Sequence, residues 1–181
     1  MNSIKKITPA RTSKLHGIWI LGLSLLVFNG PESAQAATAV GTMTVTATVA
    51  SSCVVGASSL NFGTPTSAAI QAGNIDVTGT VSVNCTTGSA YTVALGMGLG
   101  VGATFASRKM TSGAPVTLLN YAIYTTAGRT IIWGDGTATS VTVAGTGSGA
   151  VQTIDAFGRV FSGQTVPALT YNDTVSVTIT Y

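Results

Sequence analysis

The sequence predicts an all-β fold, an antiparallel β-sandwich assembled from short strands. Three observations carry this. Beyond residue 37 the chain is rich in Val, Thr, Ala and Gly, and its apolar residues recur at period two. Clusters of Gly, Pro, Asn and Asp interrupt that alternation at short intervals. No stretch after residue 37 shows a helical period.

The elements follow in order. Residues 42 to 49 (TMTVTATV) place Met43, Val45, Ala47 and Val49 on one face and four threonines on the other. Residues 78 to 86 carry Val81, Val83 and Cys85 on one face, and 91 to 95 form the next strand. In 118 to 125, Leu119, Tyr121 and Ile123 alternate with Leu118, Asn120, Ala122 and Tyr124. Residues 140 to 144 and 156 to 161 come next. The last strand, 173 to 181, turns Val175, Val177 and Ile179 inward. Gly134-Asp135-Gly136 is a turn signal. The glycine-rich stretches 96 to 102 and 145 to 149 open no helix and lack a GK[ST] sequence, so they read as flexible or bulged connections.

The first 36 residues read as a secretory leader. Lys5, Lys6, Arg11 and Lys14 make a basic start, and Gly17 to Phe28 is an apolar run of 12 residues. A stable membrane span needs about 20. Ala34-Gln35-Ala36 supplies the small-x-small cleavage pattern, with cleavage expected after Ala36. An uncleaved anchor is the alternative, and both run length and cleavage pattern oppose it.

Without the leader, the charges are Arg108, Lys109, Arg129 and Arg159 against Asp76, Asp135, Asp155 and Asp173. Four minus four leaves zero. Such a chain has no electrostatic footprint for nucleic acid or acidic lipid. Near-zero net charge also favours association. Cys53 and Cys85 are the two cysteines, and in an exported chain an even pair suggests a disulfide; two buried thiols are the alternative. Closing a loop of that span is worth roughly 3–4 kcal/mol in the chain-entropy description.

The chemical inventory is thin. The mature chain has no histidine and no glutamate, and two cysteines make no structural zinc site. No cofactor or metal is implied. Catalysis needs convergent polar groups with tuned proton affinities. The four aspartates stand mostly beside turn residues, which points to turn and cap roles. Trp133, next to a turn, reads either as a cover for the core or as an exposed sugar-stacking residue.

The segment from Ala37 to Ser52 is the informative feature. A free N-terminus is ordinarily disordered unless tied down. Yet Met43, Val45, Ala47 and Val49 alternate as a buried strand does. It either pairs within its own domain or completes a neighbour. Periodicity does not choose between the two.

From about Val40 to Tyr181 the chain resembles the spore coat protein U domain family, which includes the archaic (Csu-type) chaperone–usher pilins. The resemblance rests on the alternating segment before Cys53, on Leu60-Asn61-Phe62-Gly63 and on Val81-x-Val83-x-Cys85. It continues in Arg108-Lys109-Met110, Leu119-Asn120-Tyr121-Ala122-Ile123-Tyr124 and Trp133-Gly134-Asp135-Gly136. Phe157-Gly158-Arg159, Gly163-Gln164 and the ending Tyr171-x-Asp173-Thr174-Val175-x-Val177-Thr178-Ile179-x-Tyr181 complete it.

The resemblance implies an incomplete immunoglobulin-like antiparallel β-sandwich of six strands, completed by a donated N-terminal strand. It implies a domain order of leader (1–36), donor segment (37–52) and sandwich (53–181). The disulfide would join Cys53 to Cys85. Met43, Val45, Ala47 and Val49 would be the donor anchors. The final strand, with Val175, Val177, Ile179 and Tyr181, would face a periplasmic chaperone. The other partners would be an outer-membrane usher and neighbouring pilin subunits. The expected function is a structural subunit of a cell-surface pilus, exported through the periplasm, with a part in adhesion or biofilm formation. A secreted coat or matrix protein, or a sugar-binding adhesin, is the alternative. An enzyme is not expected.

Overall fold

The computed structural model describes residues 35–57, 59–114 and 116–181. The leader reading falls almost wholly on residues 1–34, outside the described residues. The chain divides into two units, Met1–Thr46 and Ala47–Tyr181. In the first, residues 35–46 belong to no helix or strand and are exposed.

Among its described residues the second unit holds eight strands and one short helix. In chain order these are β1 (Cys53–Ala57), α1 (Ser67–Ala72), β2 (Ile75–Cys85), β3 (Ala90–Leu95), β4 (Arg108–Thr111), β5 (Leu118–Tyr124), β6 (Val143–Thr146), β7 (Val151–Val160) and β8 (Val177–Thr180). They form a five-stranded sheet, β1-β2-β7-β5-β4, and a three-stranded sheet, β6-β3-β8. All ladders are antiparallel. The expected all-β, two-sheet architecture is present. It has eight strands rather than six because β1 and β4, five and four residues long, are separate strands.

Alternation decides which face is buried. In β2, Val81, Val83 and Cys85 enter the core, with Val77 half-buried before them. From the facing sheet come Tyr91, Val93 and Leu95 of β3, and Val177 and Ile179 of β8 pack against them. Leu119, Tyr121 and Ile123 of β5 complete the layer. Burying each such side chain contributes about 1.5–3 kcal/mol. Trp133 belongs to this core: it is buried, and its indole Nε1 donates to Val93 O at 3.0 Å.

Several boundaries differ from the sequence expectation. The strand expected at 140 to 144 is β6, three residues later, because Ser140 N closes a turn onto Thr137 O at 2.9 Å. Glycine-rich 145 to 149 is not wholly a connection. Gly145 lies in β6, and the Tyr91 ring fills the space its Cβ would occupy. The final ladder is 177 to 180 rather than 173 to 181. Residues 42 to 49 have strand alternation but no ladder.

The aspartate roles also change. Asp135 behaves as expected, accepting from Thr137 N at 2.9 Å and Thr137 Oγ1 at 2.6 Å. Asp76, however, sits within β2 and is clamped by Arg159 Nε at 2.7 Å and Nη2 at 2.8 Å. Arg129 Nε adds a longer contact to the same oxygen at 3.3 Å. The Arg159 hydrogen bonds hold the Asp76 carboxyl below the usual carboxylate range. Among the described residues no helix is long and apolar enough to cross a membrane.

Candidate functional site: an open apolar groove

The two sheets do not close over their shared core. An open cavity of about 1260 Å³ runs between two extended segments, residues 59–67 and 166–177. Its floor is the core itself, including Val81, Leu95, Leu119, Tyr121, Ile123 and Val160. Among the described residues β8 forms the edge of its three-stranded sheet, hydrogen-bonded to β3 alone. An edge with free N–H and C=O groups beside an apolar trough is the geometry that accepts an added strand.

The first lip is fixed by short-range chemistry. Asn61 Oδ1 accepts from Gly63 N at 2.8 Å, an Asx turn that reverses the chain. Thr66 then caps α1, its Oγ1 accepting from Ala69 N at 3.1 Å. Leu60 and Phe62 tuck beneath the lip. The Phe62 ring meets Tyr121 edge-on, with centroids 6.0 Å apart. Gly158 of β7 permits this approach: a Cβ there would lie 2.6 Å from Leu60 Cδ2 and 3.0 Å from Phe62 Cζ.

The second lip is pinned at several points. Gln164 imitates a strand, its side chain accepting from Asn120 N at 2.7 Å and donating to Asn120 O at 2.9 Å. Tyr171 Oη shares a hydrogen bond with Thr117 Oγ1 at 2.9 Å and donates to Pro167 O at 3.0 Å. Asn172 bridges Thr111 through a pair of backbone bonds. Asp173 then accepts from Tyr121 Oη at 2.7 Å, Leu99 N at 2.7 Å and Thr174 N at 2.8 Å. Thr174 N turns to the Asp173 side chain rather than to a neighbouring strand, and β8 begins at Val177.

One full charge lies beneath this lip. Arg108 is fully buried. Its guanidinium donates to Gly96 O at 2.9 Å, Phe105 O at 3.2 Å and Trp133 O at 2.7 Å. Burial pulls its pKa down to about 10, partly opposed by Tyr121 and Asp173, so it stays cationic at neutral pH. Burial, and then the bond to Asp173, push the Tyr121 hydroxyl well above the usual phenol range. Tyr121 is therefore a fixed donor in the floor of the groove. Among the described residues no group of three or more His, Cys, Asp or Glu is placed to hold a metal ion.

The sequence-derived site residues fall as follows. Cys53 and Cys85 are joined by a disulfide across directly opposed positions of β1 and β2. Val175, Val177 and Ile179 point into the core, while Tyr181 is exposed. The open element of the final strand is its backbone edge. Met43, Val45 and Val49 are 87%, 83% and 87% exposed. The Asp173–Tyr121–Arg108 arrangement and the Leu60–Phe62 lip had no assigned role in the sequence reading. Their motifs were visible there, but their meeting across the fold was not.

The fold and groove define a class: an antiparallel β-sandwich with an unfilled strand position. Within that class the chain belongs to the Spore Coat Protein U domain family, whose model matches residues 39–178. It is 35% identical to "Protein U" of Myxococcus xanthus over the whole of both chains. Among solved structures it resembles a chain of the CsuC–CsuE chaperone–tip adhesion subunit pre-assembly complex from Csu pili of Acinetobacter baumannii. That likeness has a TM-score of 0.55 at 22% identity, covering 74% of this chain and 41% of the other. The chain thus spans less than half of that structure's length. A likeness to the E. coli Hda pilus minor tip subunit HdaB has a TM-score of 0.37 at 17% identity, covering 71% and 79%.

Proposed function

We propose that this chain is a structural subunit of a chaperone–usher surface fibre, polymerised by donation of its N-terminal strand. The observation that carries the reading is the open groove, floored by core side chains and reaching β8 at Val177, beside the sheet edge that β8 forms. Supporting it is a segment of the same chain that alternates like a buried strand while its large apolar side chains stand in solvent. Met43, Val45, Ala47 and Val49 of one subunit fill the groove of the next. Before assembly a periplasmic chaperone occupies the groove along β8, beside Val175, Val177, Ile179 and Tyr181. An outer-membrane usher exchanges chaperone for subunit. The leader, residues 1–36, directs export, and the fibre serves adhesion or biofilm formation at the cell surface. The role is mechanical rather than catalytic.

Deletion of residues 37–50 tests this. Fibre growth stops while chaperone capture of the truncated subunit persists. Val45→Asp has the same effect, because an unpaired charge is costly to bury. Fibres of normal yield from either variant would overturn the reading.

Membership of the Spore Coat Protein U domain family favours a second reading, a secreted coat protein. A coat built by the same strand exchange would also lose assembly on deletion. Immunogold labelling separates the two: thin appendages for the fibre, a continuous shell for the coat.

A further inference from the structure

The connection between β3 and β4 exposes apolar side chains on a backbone that cannot retract them. Leu99 and Val101 are 78% and 83% exposed, and Met97 is also exposed. The loop is pinned by Gly96 N to Ser176 O at 2.9 Å, Leu99 N to Asp173 Oδ1 at 2.7 Å and Ala103 N to Gly100 O at 3.0 Å. Gly98 adopts φ +87°, and a side chain there would collide with Asp173. The loop is therefore a built feature, tied to Asp173 near the β8 end of the groove's second lip.

Resting on the donor-strand reading, chain geometry brings a second body to that end. Every ladder in the sandwich is antiparallel, and antiparallel pairing is slightly the more stable. A strand added antiparallel to β8 runs from the Tyr181 end towards Asp173, so its Val49 emerges near the loop. Three residues, Ala50 to Ser52, separate Val49 from Cys53, where the donor's own sandwich begins. Four steps of extended chain span at most about 14 Å. The donor's body must abut the acceptor there. Beside its Cys53 it carries an exposed apolar face: Val54 and Val151, either side of Asn84 on neighbouring strands.

We propose that Met97, Leu99 and Val101 of each subunit dock on the Val54–Val151 face of the copy whose strand fills its groove. The contact is head-to-tail, so it repeats along an open polymer rather than closing a dimer. It gives the joint between subunits a second point of attachment and fixes their angle.

The test uses fibres assembled from the full chain, with a photoreactive amino acid in place of Leu99 and, separately, in place of Leu169 on the groove lip. Fibres mixed from isotopically light and heavy subunits distinguish links between copies from links within one. Position 99 is expected to capture a neighbour's peptides containing residues 51–56 or 150–153. Position 169 is expected to capture residues 43–49. Capture at 169, with links from 99 absent, internal or elsewhere, would overturn the docking proposal alone. Failure at 169 to capture 43–49 would sink the donor-strand reading and this inference with it. As a second measurement, Leu99→Ser combined with Val101→Ser leaves fibres assembled but at least halves their persistence length in electron micrographs. An unchanged persistence length counts against the contact.

Discussion

Tyr121 and Asp173, 52 positions apart in sequence, meet at 2.7 Å, with the phenol donating to Asp173 Oδ2. This bond joins the floor of the groove to its second lip. The same carboxylate accepts from Leu99 N, so one side chain ties together β5, the final segment and the β3–β4 loop.

Tyr121→Phe is expected to remove this tie with little change in shape. A hydrogen bond to a charged group is worth about 1.5–3 kcal/mol, and the loss falls in that range. Asp173→Ala costs more, because Leu99 N also loses its acceptor and buried Arg108 loses its facing anion. Guanidinium denaturation of the subunit complexed with a synthetic peptide of residues 37–50 measures both.

Gly158→Ala forces a methyl group to within 2.6 Å of Leu60 Cδ2. The first lip must move outward, at a cost of about 1–3 kcal/mol. Leu60→Ala in the same chain is expected to recover part of that cost. A double-mutant cycle showing strict additivity would contradict the contact.

Replacing both Cys53 and Cys85 by Ser is expected to lower stability by about 2–5 kcal/mol. The loss appears in the oxidised protein and is absent when wild type and variant are compared under reducing conditions. Equal denaturation midpoints in oxidising buffer would show that the bridge adds nothing.

Acid should weaken the clamp on β2 and β7. The Asp76 carboxyl is held below its ordinary value chiefly by Arg159. A depressed folded-state pKa stabilises above the unfolded value, near 4, and that stability is lost as pH falls through the folded value. The pair is partly exposed, so the effect is modest and screened by salt. Stability curves measured between pH 6 and 2 are expected to converge for wild type and Arg159→Gln at the acid end.

Much of the sandwich was legible because its longer strands carry period-two contrast. Val81, Val83 and Cys85 in β2 and Leu119, Tyr121 and Ile123 in β5 alternate in sequence and are buried together in the core, both strands belonging to the five-stranded sheet. β1 and β4 offered less, with five and four residues. β4 also hides a buried arginine, Arg108, which reads as a surface residue until its three carbonyl acceptors are seen. α1, six residues long, buries Ile70 alone and has no room for a helical period. The groove was the least visible from residue patterns, because its floor is ordinary core and its lips are irregular. Its existence was implied by family resemblance, and its walls required Leu60, Phe62, Tyr121 and Asp173 to be brought together in space.

The Cys53–Cys85 bridge carries a consequence for load. In a fibre of the proposed kind, tension arrives along the donated segment and enters each subunit at residue 53. There the pull meets a covalent bond to β2, which lies inside the five-stranded sheet and is laddered along nearly its whole length to β7. Force therefore bypasses the five-residue edge strand that would otherwise unzip first. In such a fibre the bridge would let a subunit bear tension without β1 being stripped from β2.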